Sequence, residues 1–260
     1  MQYAKINGAE LAYDVVGQGP PLIFVHGFLA SGTGPYYTAF KRLLAAFYHV
    51  YFIDMRAHGG SSAIVDNATL DQSARDVAAF ADLFQLEDVS LVGHSMGGFI
   101  SMAAAIQHPR RFKALGLVTP AASKGAPAVE EQVADFMAAR KSPEMMDQRF
   151  AGMFVRPPAK AELASLRDAA LRLPDAVAER WMREEWPSSD LTDGLGSIDV
   201  PILSIIAAQD VVVPPERQYE DALRLPKAKV VTFTDEGHMF PLEQPDRCAS
   251  EVLRFFRDLA

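Results

Sequence analysis

Residues 91–100, LVGHSMGGFI, join a predicted strand to a predicted helix and contain one serine between glycines. Gly93, Ser95 and Gly97 match the pattern G-x-S-x-G, which forms a sharp, strained turn at a strand-to-helix join. Such a turn lifts the serine hydroxyl above the C-terminal edge of a parallel sheet, where α/β proteins bind their ligands. The helix that begins at the serine also directs its free N–H groups at this place. The segment therefore predicts an α/β fold with Ser95 as the candidate nucleophile.

The rest of the chain alternates short β-rich runs with longer helical patterns, as an α/β fold requires. Several runs are apolar nearly throughout, which is typical of parallel strands that are covered on both faces. The predicted strands lie in the runs YAKING, ELAYDVV, PLIFVHG, HVYFID, DVSLVGH, ALGLVTP, VPILSIIA and AKVVTFT. We expect a mostly parallel, doubly wound sheet of these eight strands, in which the first two form an antiparallel hairpin at the edge.

One region interrupts this alternation. Residues 123–193 contain helix-like patterns but no good strand, and the region is far longer than an ordinary connection of about five residues. We expect residues 123–193, here called the cap segment, to form a helical lid over a core made of residues 1–122 and 194–260. Its methionine and aromatic side chains are typical of an adaptable apolar pocket. The predicted pocket residues, with Met239 added from the core, are Met137, Phe150, Met153, Phe154, Trp181 and Trp186.

The composition limits the classes of function. Hydrophobic residues make up 49% of the 260 residues, and the net charge of −8 argues against nucleic acid or an anionic membrane as a partner. The single cysteine, Cys248, excludes an intrachain disulfide and is expected to pack in a helix. The N-terminus lacks the apolar core of a signal peptide, and no apolar run reaches the roughly 20 residues that span a bilayer. We expect a soluble, cytoplasmic monomer or homodimer.

A serine nucleophile needs a base, and His238 is the candidate among the six histidines. His238 lies beside Gly237 in a loop after the last predicted strand, from which it can reach over the sheet edge. The other histidines have structural interpretations at a strand start, in loops or at a helix end, and the one next to the nucleophile is expected to point away from it. They are His26, His49, His58, His94 and His108.

The imidazole in turn needs a carboxylate that fixes its tautomer. Asp210 follows the apolar strand VPILSIIA, where a carboxylate needs a partner because burying it alone is costly. Asp199 precedes the same strand and so lies at the opposite edge of the sheet, while Asp235 and Glu236 are expected to be solvated. Asp210 is therefore the candidate acid.

A serine that attacks a carbonyl group also needs N–H donors for the oxygen that becomes negative. Position along the chain assigns one donor to Met96, the residue after the nucleophile. The other is expected from Phe28, in the loop after the strand PLIFVHG. Backbone donors do not depend on the side chain, so the sequence locates them only by position.

Five segments together resemble the α/β-hydrolase superfamily: FVHGF, DMRAHGGSS, GHSMGG, the D-x-x-x-P pattern at Asp210, and GHMFPLEQP. The resemblance runs from about residue 3 to the C-terminus, with only the cap segment unmatched. It implies the nucleophile, acid, base and oxyanion donors named above, and a lid inserted after the sixth strand. One departure is Ala57, where relatives often have glycine. Related dehalogenases and epoxide hydrolases carry aspartate at the nucleophile position, so Ser95 counts against both.

The expected activity is hydrolysis of a small, apolar carboxylic ester or lactone through an acyl-enzyme, without a metal or cofactor. Two alternatives stay open. The first is hydrolysis of a carbon–carbon bond of the meta-cleavage-product type, which should need a cation for a substrate carboxylate. The candidates are Arg140, Arg149 and Arg156, although each is more often a solvated charge of the cap segment. The second alternative is a small-molecule receptor with little turnover.

Overall fold

A sheet of eight strands runs through the molecule, whose computed structural model describes residues 1–259. In chain order the strands are β1 (Gln2–Ile6), β2 (Ala9–Val16), β3 (Pro21–Val25), β4 (His49–Ile53), β5 (Ser90–His94), β6 (Leu115–Val118), β7 (Ile202–Ala207) and β8 (Ala228–Phe233). Their order across the sheet is β1-β2-β4-β3-β5-β6-β7-β8. The β1–β2 and β2–β4 pairs are antiparallel and all the others are parallel. The predicted fold class and the edge hairpin are confirmed.

The central strands show why these segments become parallel β-structure. Strands β5, β6 and β7 are buried at every residue, and β3 is buried at every residue after Pro21. Strands covered by helices on both faces carry apolar side chains on both faces, so their sequences read as continuous apolar runs. β8 lies at the sheet edge and is partly exposed along its length. Ser95 thus follows a central, fully buried strand, whereas His238 follows the edge strand β8.

Helices connect and flank the strands. α12 illustrates how the sequence determines a helix. It begins at Pro245, because proline is favoured in the first helical turn. One face of the helix is buried and carries Cys248, Ala249, Val252, Phe255 and Phe256. Cys248 thus packs in a helix as predicted. In chain order the helices are α1 (Thr38–Ala45), α2 (Leu70–Leu83), α3 (Met96–Gln107), α4 (Glu130–Ala139), α5 (Pro143–Ala151), α6 (Lys160–Arg172), α7 (Asp175–Arg180), α8 (Trp186–Ser188), α9 (Thr192–Leu195), α10 (Pro215–Arg224), α11 (Phe240–Glu243) and α12 (Pro245–Arg257).

The cap segment between β6 and β7 is helical, as its sequence pattern predicts, and comprises α4 to α8 with the start of α9. Its two ends are tied to each other. The Leu191 N–H donates to the Ser123 carbonyl at 2.9 Å, and the Gly125 N–H donates to the Ser189 carbonyl at 2.9 Å. A Cβ atom on Gly125 would lie 1.6 Å from the Trp186 carbonyl oxygen, so this close approach requires glycine. The segment therefore leaves and re-enters the sheet region at one place.

None of the helices within residues 1–259 combines the length and the apolar character needed to cross a bilayer.

Candidate active site

The sharp turn after β5 holds Ser95 in a strained conformation. Its φ of 53° and ψ of −118° lie outside the regions that L-residues favour, and α3 begins at the next residue. The two glycines of the motif are required sterically. A Cβ atom on Gly93 would lie 2.2 Å from the Gly97 carbonyl oxygen, and one on Gly97 would lie 2.0 Å from the Val25 carbonyl oxygen. The two glycines therefore allow this turn to pack closely against β3 and the first turn of α3.

The structure brings the three predicted catalytic side chains into one chain of hydrogen bonds. His238 Nε2 lies 2.9 Å from Ser95 Oγ, and His238 Nδ1 lies 2.9 Å from Asp210 Oδ2. Because a carboxylate only accepts, Nδ1 carries the proton and donates to Asp210. Nε2 of the neutral ring is then free to accept the Ser95 hydroxyl proton. All three residues are buried, at 4% to 6% exposure, so few water molecules compete for these bonds.

Asp210 is held by more than the imidazole. Its Oδ1 accepts from the backbone N–H groups of Val212, at 2.8 Å, and Val213, at 2.9 Å. Its Oδ2 also accepts from Gln218 Nε2 at 3.1 Å. Burial alone would raise the pKa of Asp210, but the attraction of His238 and these hydrogen bonds outweigh burial and hold the pKa below its ordinary value. The carboxylate therefore stays ionised and keeps His238 in the reactive tautomer.

His94, expected to point away from the site, instead anchors the backbone of His238. Its Nε2 lies 2.9 Å from the His238 carbonyl oxygen, to which it donates, and the Tyr37 hydroxyl lies 2.9 Å from its Nδ1. Thr119 Oγ1 donates to the same carbonyl at 3.0 Å. Burial and the neighbouring His238 lower the pKa of His94 to about 3, so the ring is neutral and each nitrogen has one role. The sequence predicted only that His94 points away from Ser95, and it did not identify this contact with the His238 backbone.

Two other histidines support the loops at the same sheet edge, as predicted. His26 Nε2 accepts from the Met55 N–H at 3.0 Å, and its Nδ1 lies 2.8 Å from the Gly27 carbonyl. His58 Nδ1 lies 2.8 Å from the Arg56 carbonyl. Burial lowers the pKa of His26 to about 4 and that of His58 to about 3, so both are neutral near pH 7. His49 starts β4 and His108 follows α3, and neither belongs to the hydrogen-bonded chain at Ser95.

The segment before His238 contains a buried ion-pair cluster that sequence reasoning missed. Asp235 is exposed as expected, but Glu236 is fully buried rather than solvated. Arg156 of the cap segment reaches Glu236 at 2.8 Å and Glu243 at 3.0 Å, and Arg247 of α12 also pairs with Glu236. A buried carboxylate persists only when paired, and two arginines from distant segments satisfy this one. The cluster joins the cap segment to the loop that carries His238.

A cavity of about 780 Å³ opens onto Ser95 and His238. Of the predicted pocket residues, Phe150, Met153, Trp186 and Met239 line it. Three other predicted residues do not line it: Trp181 is buried in the core, and Met137 and Phe154 are partly buried and pack against the core. The indole of Trp181 packs on the Phe28 ring at 6.0 Å and donates to the Ala68 carbonyl at 2.9 Å, which explains its burial.

The cavity wall that sequence reasoning missed is one face of α4. Gln132, Val133 and Phe136 of α4 line the cavity together with Val129, which directly precedes the helix, and their spacing of one, three and four residues is that of a single helix face. This periodicity could have identified them. Further unpredicted lining residues are Leu166, Met182, Val211, Val212 and Val213. The surface that faces Ser95 is thus mainly aliphatic and aromatic, and residues 1–259 contain no group of His, Cys, Asp and Glu side chains arranged to hold a metal ion.

Two backbone N–H groups are available at the serine. Within residues 1–259, the N–H groups of Phe28 and Met96 donate to no acceptor. Phe28 lines the cavity, and Met96 is the first residue of α3, whose N-terminal N–H groups carry partial positive charge. Leu29 has a φ of 64°, so the loop after β3 turns sharply at this point. Both groups are therefore free to donate to a substrate, and their role as an oxyanion hole stays a prediction.

The chain resembles known proteins along nearly its whole length. A model of the alpha/beta hydrolase family matches residues 22–251. The chain is 27% identical, over 98% of its length and 69% of the relative, to the dihydrolipoyllysine-residue acetyltransferase component of the acetoin cleaving system of Pseudomonas putida. It is 30% identical, over 93% of its length and 97% of the relative, to the pimeloyl-(acyl-carrier protein) methyl ester esterase of Xanthomonas campestris. The solved structure of a thermophilic esterase from Thermogutta terrifontis matches with a TM-score of 0.82 at 26% identity, over 99% of both chains. The chain therefore belongs to the alpha/beta hydrolase family.

Proposed function

We propose that this protein is a serine hydrolase that cleaves a small carboxylic ester or lactone through an acyl-enzyme. The observation that carries the proposal is the hydrogen-bonded chain from Ser95 through His238 to Asp210, with 2.9 Å at each His238 nitrogen, at a largely apolar cavity. Two of the relatives that match most of this chain, at 30% and 26% identity, are named as esterases. An ester buries its carbon groups in such a cavity while its carbonyl reaches the serine.

The reaction begins when His238 Nε2 takes the Ser95 hydroxyl proton as Oγ attacks the carbonyl carbon. The N–H groups of Phe28 and Met96 hold the oxygen that becomes negative in the tetrahedral intermediate. Protonated His238 then gives its proton to the departing alkoxide, which leaves Ser95 acylated. Water repeats the same steps: His238 accepts a proton from it, hydroxide adds to the acyl carbon, and Ser95 regains its proton as the acid departs. Asp210 stabilises the imidazolium at both stages.

In this proposal the cap segment, residues 123–193, acts as a lid on a core of residues 1–122 and 194–260. Faces of α4 and α5 form much of the cavity wall, so the cap segment determines which acyl and alcohol groups fit. Arg156 ties it to the His238 loop through Glu236 and Glu243. Closing an apolar lid over a charged intermediate excludes water and strengthens the hydrogen bonds of the site.

The proposal is tested with a substrate panel and a covalent probe. Purified protein is given p-nitrophenyl acetate, p-nitrophenyl butyrate, a simple lactone and a ring-fission dienoate. A fluorophosphonate, which phosphonylates activated serines, should abolish turnover at one equivalent. Peptide mass spectrometry should then find the adduct on Ser95, because only this serine is hydrogen-bonded to an imidazole within residues 1–259.

Three results would contradict ester hydrolysis. They are turnover that survives full labelling, an adduct on another serine, and dienoate turnover far above that of every ester and lactone. The third result would favour carbon–carbon bond hydrolysis. A ligand that raises the melting temperature without being consumed, in a protein that turns over none of the panel, would favour the receptor alternative.

The anchoring of His238 gives a further prediction within this mechanism. Thr119→Val replaces the hydroxyl that donates to the His238 carbonyl with a methyl group of similar size. We expect kcat on p-nitrophenyl butyrate to fall about tenfold while KM changes less than about twofold, because a misplaced base slows the chemical step more than substrate binding. Thr119→Ser keeps the hydroxyl and should retain most of the activity. If Thr119→Val is as active as Thr119→Ser, the His94 hydrogen bond alone fixes the loop that carries His238.

A further inference from the structure

Three cationic residues line the cavity at Ser95, and two of them are occupied by other parts of the chain. Lys124 forms an ion pair with Asp190 at 3.1 Å. Arg217 donates to the Lys124 carbonyl. Arg149, on α5, differs from both, since within residues 1–259 its guanidinium forms no hydrogen bond and no ion pair.

The other cap arginines considered from the sequence are used structurally. Arg140 is buried and donates to Asp175 at 2.8 Å and to the Ala170 carbonyl at 2.8 Å, so it is not a solvated charge. Arg156 is held by Glu236 and Glu243. Neither guanidinium is available to a ligand without breaking a partly or fully buried ion pair. Arg149 is the cation whose donors are uncommitted.

Arg149 is held at the cavity without using its donors. Its guanidinium carbon lies 5.1 Å from the centroid of the Phe136 ring, a cation–π contact that leaves the N–H groups free. Surrounding protein lowers the pKa of Arg149 through desolvation, although the residue is exposed at the cavity. Asp135 also lines the cavity and attracts Arg149 at longer range, but the two form no ion pair. A guanidinium has five donors in a planar fork and is less strongly hydrated than an ammonium, so it is well suited to a planar carboxylate.

We propose that Arg149 binds a carboxylate of the substrate, so that half-esters of dicarboxylic acids are favoured over neutral esters. This inference rests on the proposed ester hydrolysis and names its substrate class. Phe136, Phe150 and Met153 line the same cavity as Arg149 and Ser95, and such apolar side chains can accommodate the hydrocarbon chain between the acid and the ester. One end of the substrate is thus bound by charge, and the other is delivered to the serine.

The test compares monomethyl with dimethyl esters of straight-chain diacids from succinate to suberate. For each chain length, kcat/KM is measured for both esters, and their ratio is the readout. In Arg149→Gln we expect the ratio at the best chain length to fall about 10- to 100-fold, the range for one hydrogen-bonded charge. Arg149→Lys keeps the charge without the planar fork and should lose less. In the wild type, raising the ionic strength should also lower the ratio.

Lys141→Gln is the matched control. Lys141 is exposed after α4 and does not line the cavity, so this variant removes the same unit of charge from the cap segment. Its ratio should equal that of the wild type. The inference is overturned if Arg149→Gln leaves the ratio unchanged. It is also overturned if Lys141→Gln lowers the ratio equally, because the effect would then come from the overall charge of the cap segment.

A binding measurement keeps this result separate from the proposed function. Free adipate, pimelate and suberate are added to the wild type and to Arg149→Gln, and the melting temperatures are recorded. We expect the diacids to raise the melting temperature of the wild type. The apparent affinity derived from this shift should be at least about tenfold weaker for the variant. Should none of the esters be hydrolysed, the proposed function fails while this Arg149-dependent binding can still be present. Equal stabilisation of both proteins refutes the Arg149 site alone.

Discussion

Ser95→Ala is expected to lower kcat for p-nitrophenyl butyrate by about 10⁴- to 10⁶-fold, and His238→Ala by a similar factor. The hydroxyl is the atom that forms the acyl bond, and without the imidazole it has no base within hydrogen-bonding reach, since His238 Nε2 lies 2.9 Å from it. The double variant should be no slower than either single variant, because each change already disables the same step. Steady-state rates of the two single variants and the double variant, with the protein concentration measured by absorbance, test this prediction.

Ser101→Ala provides the matched control for the serine. Ser101 is also buried on α3, but its hydroxyl donates to the Gly97 carbonyl at 2.7 Å, away from the imidazole. This variant should keep activity within about tenfold of the wild type, because it loses one local hydrogen bond. Ser95→Ala should melt as the wild type does, or higher. A Ser95→Ala rate above about 1% of wild type, or single losses that multiply in the double variant, would rule out the three residues as one catalytic unit.

The fold and the meeting of Ser95, Asp210 and His238 were predictable because they depend on simple rules of strand composition and direction. Buried parallel strands must be apolar throughout, so β5, β6 and β7 are recognised from composition alone. Ser95, Asp210 and His238 each follow a strand that runs in the same direction, and the C-terminal ends of parallel strands share one edge. Their meeting therefore follows from topology, without any knowledge of side-chain contacts.

The missed features depend on contacts between distant segments. The role of His94 depends on Tyr37 and on the His238 carbonyl, which lie 57 positions before it and 144 positions after it. The burial of Glu236 requires arginines that lie 80 positions before it and 11 positions after it. Trp181 and Trp186 are both apolar and only five positions apart, and nothing local says which of them faces the cavity. Pattern analysis identifies apolar helix faces but not which neighbour each face will meet.

Acidification is expected to unfold the protein from about pH 5 downward, because three histidines that are buried in the neutral form gain protons in the unfolded chain. The pKa is about 4 for His26 and about 3 for both His58 and His94 in the folded state, against 6.5 for the unfolded chain. Below about pH 6.5 the unfolded chain therefore binds more protons than the folded one, and the stability falls as the pH falls. Each histidine contributes about 2 kcal/mol of this loss between pH 7 and pH 5.

The combined loss of about 6 kcal/mol is comparable with the whole stability of many domains, so unfolding should set in near pH 5. Burial raises the pKa of Asp54 and Asp221 in the folded state. These two carboxyls therefore gain protons more readily in the folded chain and partly offset the loss of stability at low pH. Urea unfolding followed by circular dichroism, at half-unit steps from pH 8 to pH 5, gives the slope of the free energy of unfolding. It should approach about 4 kcal/mol per pH unit near pH 5, where all three groups contribute.

His58→Asn isolates one of the three contributions. The asparagine amide can replace Nδ1–H as the donor to the Arg56 carbonyl, and it removes the buried Nε2 atom that has no hydrogen-bond partner within residues 1–259. Because asparagine does not titrate, the slope should decrease by about 1.4 kcal/mol per pH unit, with the two proteins compared at pH 8 as the reference. An unchanged slope, or a wild-type slope below about 1.4 kcal/mol per unit, would mean that these imidazoles gain protons without unfolding. The loops that they hold at Ser95 would then open in acid while the sheet stays folded.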